Sequence, residues 1–370
     1  MLQVFRSGYV SASAPVRGPA FQRNRRRWVC VLSHVLVPVA VSVCACACVL
    51  DSRQSDRSGP AALSTSGTNF AVGGTTRWLA GVSFFDALGP HAPRDEDLDA
   101  LRGWGVSIVR VWAHWNAPIY DSAGRLHAEG RARLHALVER LRARGLILEL
   151  VLLRPGQLPG ERFAVFASAD ARLQAVREIS ESLRPYRNVL FDLYNEHDHP
   201  HGPIGHRELR PLRDAVKQID PERLVTVSST AYHFLGPESV LDEHGRRNVS
   251  EEVSLDEGSV GADLLAVHLP DNPGWVEATG TRVQTLKLAL AEMKRDVPIY
   301  LSEGPRARPG ETRIPAESYL AAAGHGQRAG AAGWVFHTPA GYKIDEVPFL
   351  AALNDDERQA LAQLKRIVKP

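Results

Sequence analysis

From residue 77 to the C-terminus, short apolar runs alternate with stretches whose apolar residues recur every three or four positions, and the alternation repeats eight times. The runs span residues 78–84, 106–112, 146–152, 189–193, 224–227, 264–268, 298–301 and 333–336. Runs of this length predict strands, and the nearly continuous Leu146-Ile147-Leu148-Glu149-Leu150-Val151-Leu152 predicts one buried on both faces. Between them, Leu134, Leu137, Val138 and Leu141 form one helical stripe, and Leu173, Val176, Ile179 and Leu183 a second. Leu209, Leu212 and Val216 form a third; Val283, Leu286, Leu290 and Met293 a fourth. At the end, Asp355-Asp356-Glu357 suits a helix start and is followed by Leu361, Leu364, Ile367 and Val368 on one face.

Strict alternation of strand and helix implies a parallel sheet. Eight units fit a (β/α)8 barrel better than a doubly wound sheet of five or six strands. No Gly-x-Gly-x-x-Gly follows the first run, where Gly81-Val82-Ser83-Phe84-Phe85 stands, and this argues against a dinucleotide fold. The expected fold is therefore α/β, a single (β/α)8 TIM barrel over residues 77–370.

What precedes the barrel has a different character. Residues 1–50 hold six Arg, no acid and all four Cys, with Arg23, Arg25, Arg26 and Arg27 directly before an apolar stretch that begins at Trp28. Positive charge, apolar stretch, then small residues is the order of an export signal, because the charges stay behind while the apolar helix enters the membrane. The small residues and Cys from Val43 to Cys48 leave open signal-peptidase cleavage, lipidation of Cys46 or Cys48, and a retained membrane helix. Residues 51–76 are polar and lack periodicity, and read as a flexible linker. The expected location is exported: secreted, periplasmic or at the cell surface, with the membrane touched only through this leader.

The charge balance changes accordingly. A formal net charge of +2 for the whole chain resolves into +6 for the leader and −4 for the rest, which has no Cys for a disulfide or a thiolate zinc site. An acidic body without a basic, aromatic-interleaved stripe argues against a nucleic-acid partner. The glycines 324, 326, 330 and 333 precede the eighth run, on the wrong side of it for a barrel's phosphate loop.

Barrel chemistry sits at the carboxyl ends of the strands. There the second run delivers Arg110, Trp112, His114 and Trp115, the fourth Asn195-Glu196-His197-Asp198, and the sixth His268. The seventh delivers Ser302-Glu303 and the eighth Trp334, Phe336 and His337. Two Glu, after the fourth and seventh runs, face each other across a barrel mouth, where a carboxylate pair can flank one glycosidic bond. A charge inside Val109-Arg110-Val111 demands a partner. Trp115, Trp275 and Trp334 are candidates to stack on sugar rings, whose CH faces suit an aromatic platform.

Asn-Glu after strand four, Glu after strand seven, Arg on strand two, His after strand six and Trp after strand eight together resemble the clan A glycoside hydrolases, most of all family 5, the cellulase and mannanase family. The resemblance runs over about residues 77 to 368. It implies a retaining hydrolase of β-linked polysaccharide or oligosaccharide that needs no cofactor and no metal. Glu196 would be the acid/base, Glu303 the nucleophile, Asn195 the donor to the sugar 2-hydroxyl, and Arg110 the partner of Glu303. Arg110, Trp115, Asn195, His268, Trp275 and Trp334 would bind substrate. The sequence also departs from the family. Pro270 stands where an aromatic is usual after His268, Leu153-Arg154-Pro155 where a third-strand His is usual, and His197 where Pro usually follows Asn-Glu. Two other readings follow from those departures and from the loop itself: a non-catalytic carbohydrate-binding barrel, and a metal-dependent hydrolase built on His197, Asp198, His199, His201 and His206.

Overall fold

The computed structural model describes residues 62–89, 93–113, 115, 119–154, 166–199, 204–230, 261–269, 273–307, 313–342, 344 and 346–368. The leader, residues 1–50, lies outside them, and among the described residues no helix is long and apolar enough to cross a membrane.

The polar stretch expected to be a linker is structured from residue 63. Strands β1 (Leu63–Ser66), β2 (Asn69–Val72) and β3 (Thr75–Arg77) form a small antiparallel sheet. Gly67, Gly73 and Gly74 take positive φ at its two turns, which glycine adopts without steric cost. The segment lacks long periodicity because each strand is only three or four residues, yet Leu63, Phe70 and Ala71 are buried. Phe70 meets Tyr300 edge to face at 5.4 Å.

All eight apolar runs form strands within one or two residues of the expected bounds. They are β4 (Leu79–Phe84), β5 (Val106–Trp112), β6 (Ile147–Val151), β7 (Val189–Asp192), β8 (Leu224–Thr226) with its continuation β9 (Ser228–Ser229), β10 (Leu265–His268), β11 (Ile299–Glu303) and β12 (Gly333–Phe336). The order is β8-β7-β6-β5-β4-β12-β11-β10-β9, with every pair parallel. Only Val227 separates β8 from β9, so the two act as one stave that pairs with β7 on one side and β10 on the other. That closes the barrel.

Helices α1 (Asp95–Gly103), α2 (Ala128–Ala143), α3 (Ala169–Leu183), α4 (His206–Ile219), α5 (Trp275–Glu292), α6 (Ala316–Ala329), α7 (Phe349–Ala352) and α8 (Asp355–Gln363) accompany the strands. The expected stripes are the buried ones, as with Leu134, Leu137, Val138 and Leu141 on α2. Asn354 and Glu357 form a capping box that starts α8. That helix ends at Gln363 and gives way to a 3-10 turn, so of the expected stripe Leu361 lies on it while Leu364, Ile367 and Val368 lie past it. Helix α6 has no strong stripe because it packs with small residues. A Cβ on Gly326 would come within 3.0 Å of the Leu301 side chain on β11.

Strand parity sorts the side chains. On β5, Ile108, Arg110 and Trp112 point into the barrel while Val109 and Val111 join the layer under the helices. On β6, Ile147, Glu149 and Val151 point in, and Leu148 and Leu150 point out. Leu63 and Phe70 of the small sheet pack with Leu79, Ile108, Ile147, Leu190, Leu224 and Tyr300, which stand at or near the strand starts. The N-terminal sheet thus caps the lower end of the barrel, and the upper end is left for chemistry.

Candidate active site

Above that apolar layer the barrel interior is ionic. Arg110, completely buried, donates through Nε to Glu149 Oε1 at 2.9 Å and through one terminal nitrogen to Asp192 Oδ2 at 2.8 Å and Asn195 Oδ1 at 2.9 Å. Its other terminal nitrogen donates to Glu303 Oε1. A buried guanidinium is tolerable only when its donors are met in this way. Glu149 also accepts from the Tyr300 hydroxyl at 2.6 Å, and Asp192 accepts from the Ser228 hydroxyl at 2.6 Å. Burial pushes the Glu149 carboxyl up to about 7 against the pull of Arg110.

Glu303 ends β11 with its side chain 15% exposed. Burial alone would raise its carboxyl, but the positive charge of His268 and Arg110 holds it down at about 2, so it is ionised at any ordinary pH. Two histidines approach the same oxygen, Oε2: His268 through Nδ1 at 3.6 Å and His337 through Nε2 at 3.6 Å. They titrate in opposite directions. Burial works against protonation of His268, yet the neighbouring carboxylates Glu303 and Glu196 outweigh it and raise its pKa. His337 is pushed down to about 3, chiefly by burial, so at neutral pH it offers Glu303 a dipole rather than a charge.

Glu196 sits four positions beyond the end of β7 in a left-handed backbone conformation, φ 49°, which a non-glycine residue seldom takes. The turn is stapled to the neighbouring staves on both sides. Asn195 N–H donates to Leu153 O at 2.8 Å, Glu196 N–H to Ser228 Oγ at 3.2 Å and His197 N–H to Ser228 O at 3.0 Å. Asp198 accepts from the Ser229 hydroxyl and from both the hydroxyl and the N–H of Thr230, each at 2.8 Å. The Glu196 side chain, 28% exposed, reaches His268 Nδ1 at 3.0 Å. One oxygen each of Glu196 and Glu303 and a nitrogen of His268 lie within 4.8 Å of one another.

Of the residues expected in the site, Arg110, Asn195, Glu196, His268 and Glu303 come together. Asn195 Oδ1 also accepts from Trp112 Nε1 at 3.3 Å, which leaves its NH2 as a donor toward a ligand. Trp115 stands beside them in an aromatic wall: Phe85 stacks on Trp112 at 4.0 Å and on Tyr342 at 3.5 Å, and touches Trp115 at 4.7 Å. Two expected contacts are not there. Trp334 is completely buried and belongs to the layer under the helices, its ring 3.0 Å from where a Cβ on Gly304 would be. Parity explains it, since Val335 points into the barrel and Trp334 and Phe336 point out. His337, next in the inward phase, takes the place at Glu303. Trp275 opens α5 and packs into the helix layer near Tyr319, at 6.4 Å, not beside the glutamates.

Sequence reasoning missed Glu149, Asp192, Ser228 and Tyr300, named His337 without a role, and offered Asp198 only as a metal ligand, whereas it accepts from Ser229 and Thr230. The signal for the first two was parity: each is a charge inside an apolar run at the inward phase. Of the histidine-rich loop, His201 and the side chain of His206 lie outside the described residues. Among the described residues the group with metal-ligand spacing is Glu196, His268 and Glu303 rather than that loop. A cation there would compete with Arg110 for Glu303 and with His268 for Glu196.

A closed parallel (β/α)8 barrel that gathers two carboxylates, a buried arginine and an aromatic wall at the carboxyl ends of its strands defines a glycosyl hydrolase. The family follows from the sequence: residues 64–252, half of the chain, match the model for cellulase, glycosyl hydrolase family 5, and the chain belongs to that family. The match covers Arg110, Asn195 and Glu196 and ends before His268 and Glu303, whose places rest on geometry. Solved structures agree in fold. A β-mannanase from the blue mussel Mytilus edulis superposes with a TM-score of 0.53 at 15% identity over 83% of this chain and 96% of its own. An endo-1,4-β-mannanase from Rhizomucor miehei gives 0.55 at 13% over 83% and 99%. An exo-β-1,4-mannosidase from Opitutaceae bacterium strain TAV5 gives 0.58 at 17% over 79% and 60%. A search of curated proteins finds no match.

Proposed function

We propose that this glycosyl hydrolase cleaves a β-linked polysaccharide or oligosaccharide with retention of configuration, Glu303 acting as nucleophile and Glu196 as acid/base. The observation that carries the proposal is the pair itself: carboxylate oxygens within 4.8 Å, one side chain held ionised by Arg110 and His268 and the other more exposed. Retaining glycosidases space their carboxyls ~5–5.5 Å apart, whereas inverting ones leave room for a water between them. In the first step a Glu303 oxygen bonds the anomeric carbon as the glycosidic C–O bond breaks, and Glu196 gives its proton to the departing oxygen. In the second, Glu196 takes a proton from water, whose oxygen replaces Glu303 at that carbon.

Asn195, with its oxygen tied to Arg110 and Trp112, presents its NH2 to the sugar 2-hydroxyl; His268 holds Glu196. The mannan-degrading neighbours make β-1,4-mannosides the first substrates to try. The arginine-led apolar leader supports action outside the cytoplasm. The first-formed product anomer, read by proton NMR, is expected to keep the β configuration, and a 2-fluoro β-glycoside is expected to label Glu303. Glu303→Gln is expected to lower kcat by at least about 10³-fold. An α product, or a fully active Glu303→Gln protein, would overturn the assignment.

A further inference from the structure

The aromatic wall carries a cation at each end, and the reaction proposed above uses neither. Arg154, just past β6, places its guanidinium carbon 5.0 Å from the Trp115 ring, and Arg306, three residues past Glu303, places its own 5.0 Å from the Tyr342 ring. Those two rings are 5.5 Å apart and both rest on Phe85. Arg154, Trp115, Tyr342 and Arg306 are all half-buried, so they face the mouth rather than the core. The wall is continuous with the catalytic group through Trp112, which bonds Asn195, and through His337, whose ring lies 5.1 Å from Phe85.

A neutral sugar needs an apolar face and hydrogen bonds, and the wall with Asn195 already offers both. Guanidinium groups stacked over rings add something else: planar N–H edges that match a carboxylate or sulfate. The centre itself is rich in carboxylates, so an anion on the substrate is bearable only where positive charge answers it. We infer that the mouth accepts a β-linked glycan bearing an anionic substituent, a carboxylate or a sulfate. Its charged sugar lies on the Trp115–Tyr342 wall with the anion turned away from the glutamates toward Arg154 and Arg306. The inference rests on the hydrolase reading of the same site.

Binding is measured on the full chain carrying Glu303→Gln, so that turnover does not intervene. Calorimetry compares a uronate-containing β-linked oligosaccharide, the same oligosaccharide after carboxyl reduction, and a sulfated counterpart. The charged ligands are expected to bind at least about tenfold tighter than the reduced one, with a preference that shrinks as salt rises. Adding Arg306→Gln or Arg154→Gln is expected to reduce that charged-to-neutral ratio by about fivefold or more. Equal binding of charged and neutral ligands, or a ratio that survives both substitutions, would overturn the inference. Which charged ligand binds tighter decides between carboxylate and sulfate. If the wild-type protein hydrolyses neutral β-glycans with retention and shows no charge preference, this inference falls and the hydrolase mechanism stands. If it hydrolyses neither class, the mechanism falls, and the binding ratio still decides the charge preference.

Discussion

The two ends of the barrel are built by the same strands and differ in almost every physical respect. At the lower end Ile108, Ile147 and Leu190 meet Leu63 and Phe70 of the capping sheet in an all-apolar layer. One inward step up the same strands come Arg110, Glu149 and Asp192, equally buried and all ionisable. A further step brings Trp112 and Val151 and the aromatic wall. Barrel interiors are ordinarily filled by branched apolar residues, so the middle layer is the anomaly. It is bearable because every carboxylate in it has Arg110, a tyrosine or a serine hydroxyl as partner. Stability is thus concentrated below and chemistry above, with the ionic layer joining them.

Breaking the lower end gives the largest expected effect on folding. Phe70→Ala removes an aromatic ring with no exposed surface and leaves a cavity against Tyr300, and is expected to cost about 3–5 kcal/mol of stability in urea unfolding. Turnover per folded molecule should stay within about twofold, because none of the mouth residues touches Phe70. A stable Phe70→Ala protein would show that the small sheet does not seal the barrel.

The contrast also explains what the sequence disclosed. The eight strands and the helical stripes were legible because burial on both faces leaves a period that local reading detects, and Arg110, Glu196 and Glu303 were legible because a charge at a strand's carboxyl end has few structural reasons to be there. The capping sheet was not, since strands of three or four residues with glycine turns carry too little pattern to separate from a linker. Trp334 misled because composition does not say which way a side chain points. On β12 the inward phase is set by Val335, and it selects His337 instead of the tryptophan. Glu149 and Asp192 passed unnoticed because their partners stand 39 and 82 residues from them in sequence.

The middle layer is sharpened by pH. With its folded pKa raised to about 7 from 4.5, Glu149 contributes stability that is present below pH 4.5 and lost as pH rises through 7, because the folded state holds its proton more tightly than the unfolded chain does. Glu303, depressed to about 2, works the other way, its contribution present above 4.5 and lost as pH falls toward 2. Glu149→Gln keeps the shape and deletes the first of these. The stability of the variant relative to wild type is expected to rise between pH 4.5 and 8 by up to about 3 kcal/mol, read from unfolding at several pH values. A difference independent of pH would mean that Glu149 stays ionised throughout, with Arg110 fully compensating it.

At the mouth the smallest and most specific effect concerns His337. Its Nδ1 lies 3.2 Å from the Ser83 hydroxyl and its Nε2 3.6 Å from Glu303 Oε2, and burial keeps the ring neutral. A neutral imidazole carries one proton, and a carboxylate at Nε2 selects the tautomer with the proton there, Nδ1 then accepting from Ser83. His337 is therefore a fixed donor dipole aimed at Glu303, unlike His268, which answers the same oxygen with a titratable charge. Removing the dipole should destabilise ionised Glu303. His337→Ala is expected to lower kcat/KM by about tenfold and to move the acid limb of its pH profile upward, at a cost of about 1–3 kcal/mol in unfolding stability because the buried Ser83 hydroxyl loses its partner. His337→Gln, which keeps a donor near the Nε2 position, is expected to recover part of both. If alanine and glutamine behave alike, or if activity falls only in step with stability, His337 packs the mouth without positioning the carboxylate.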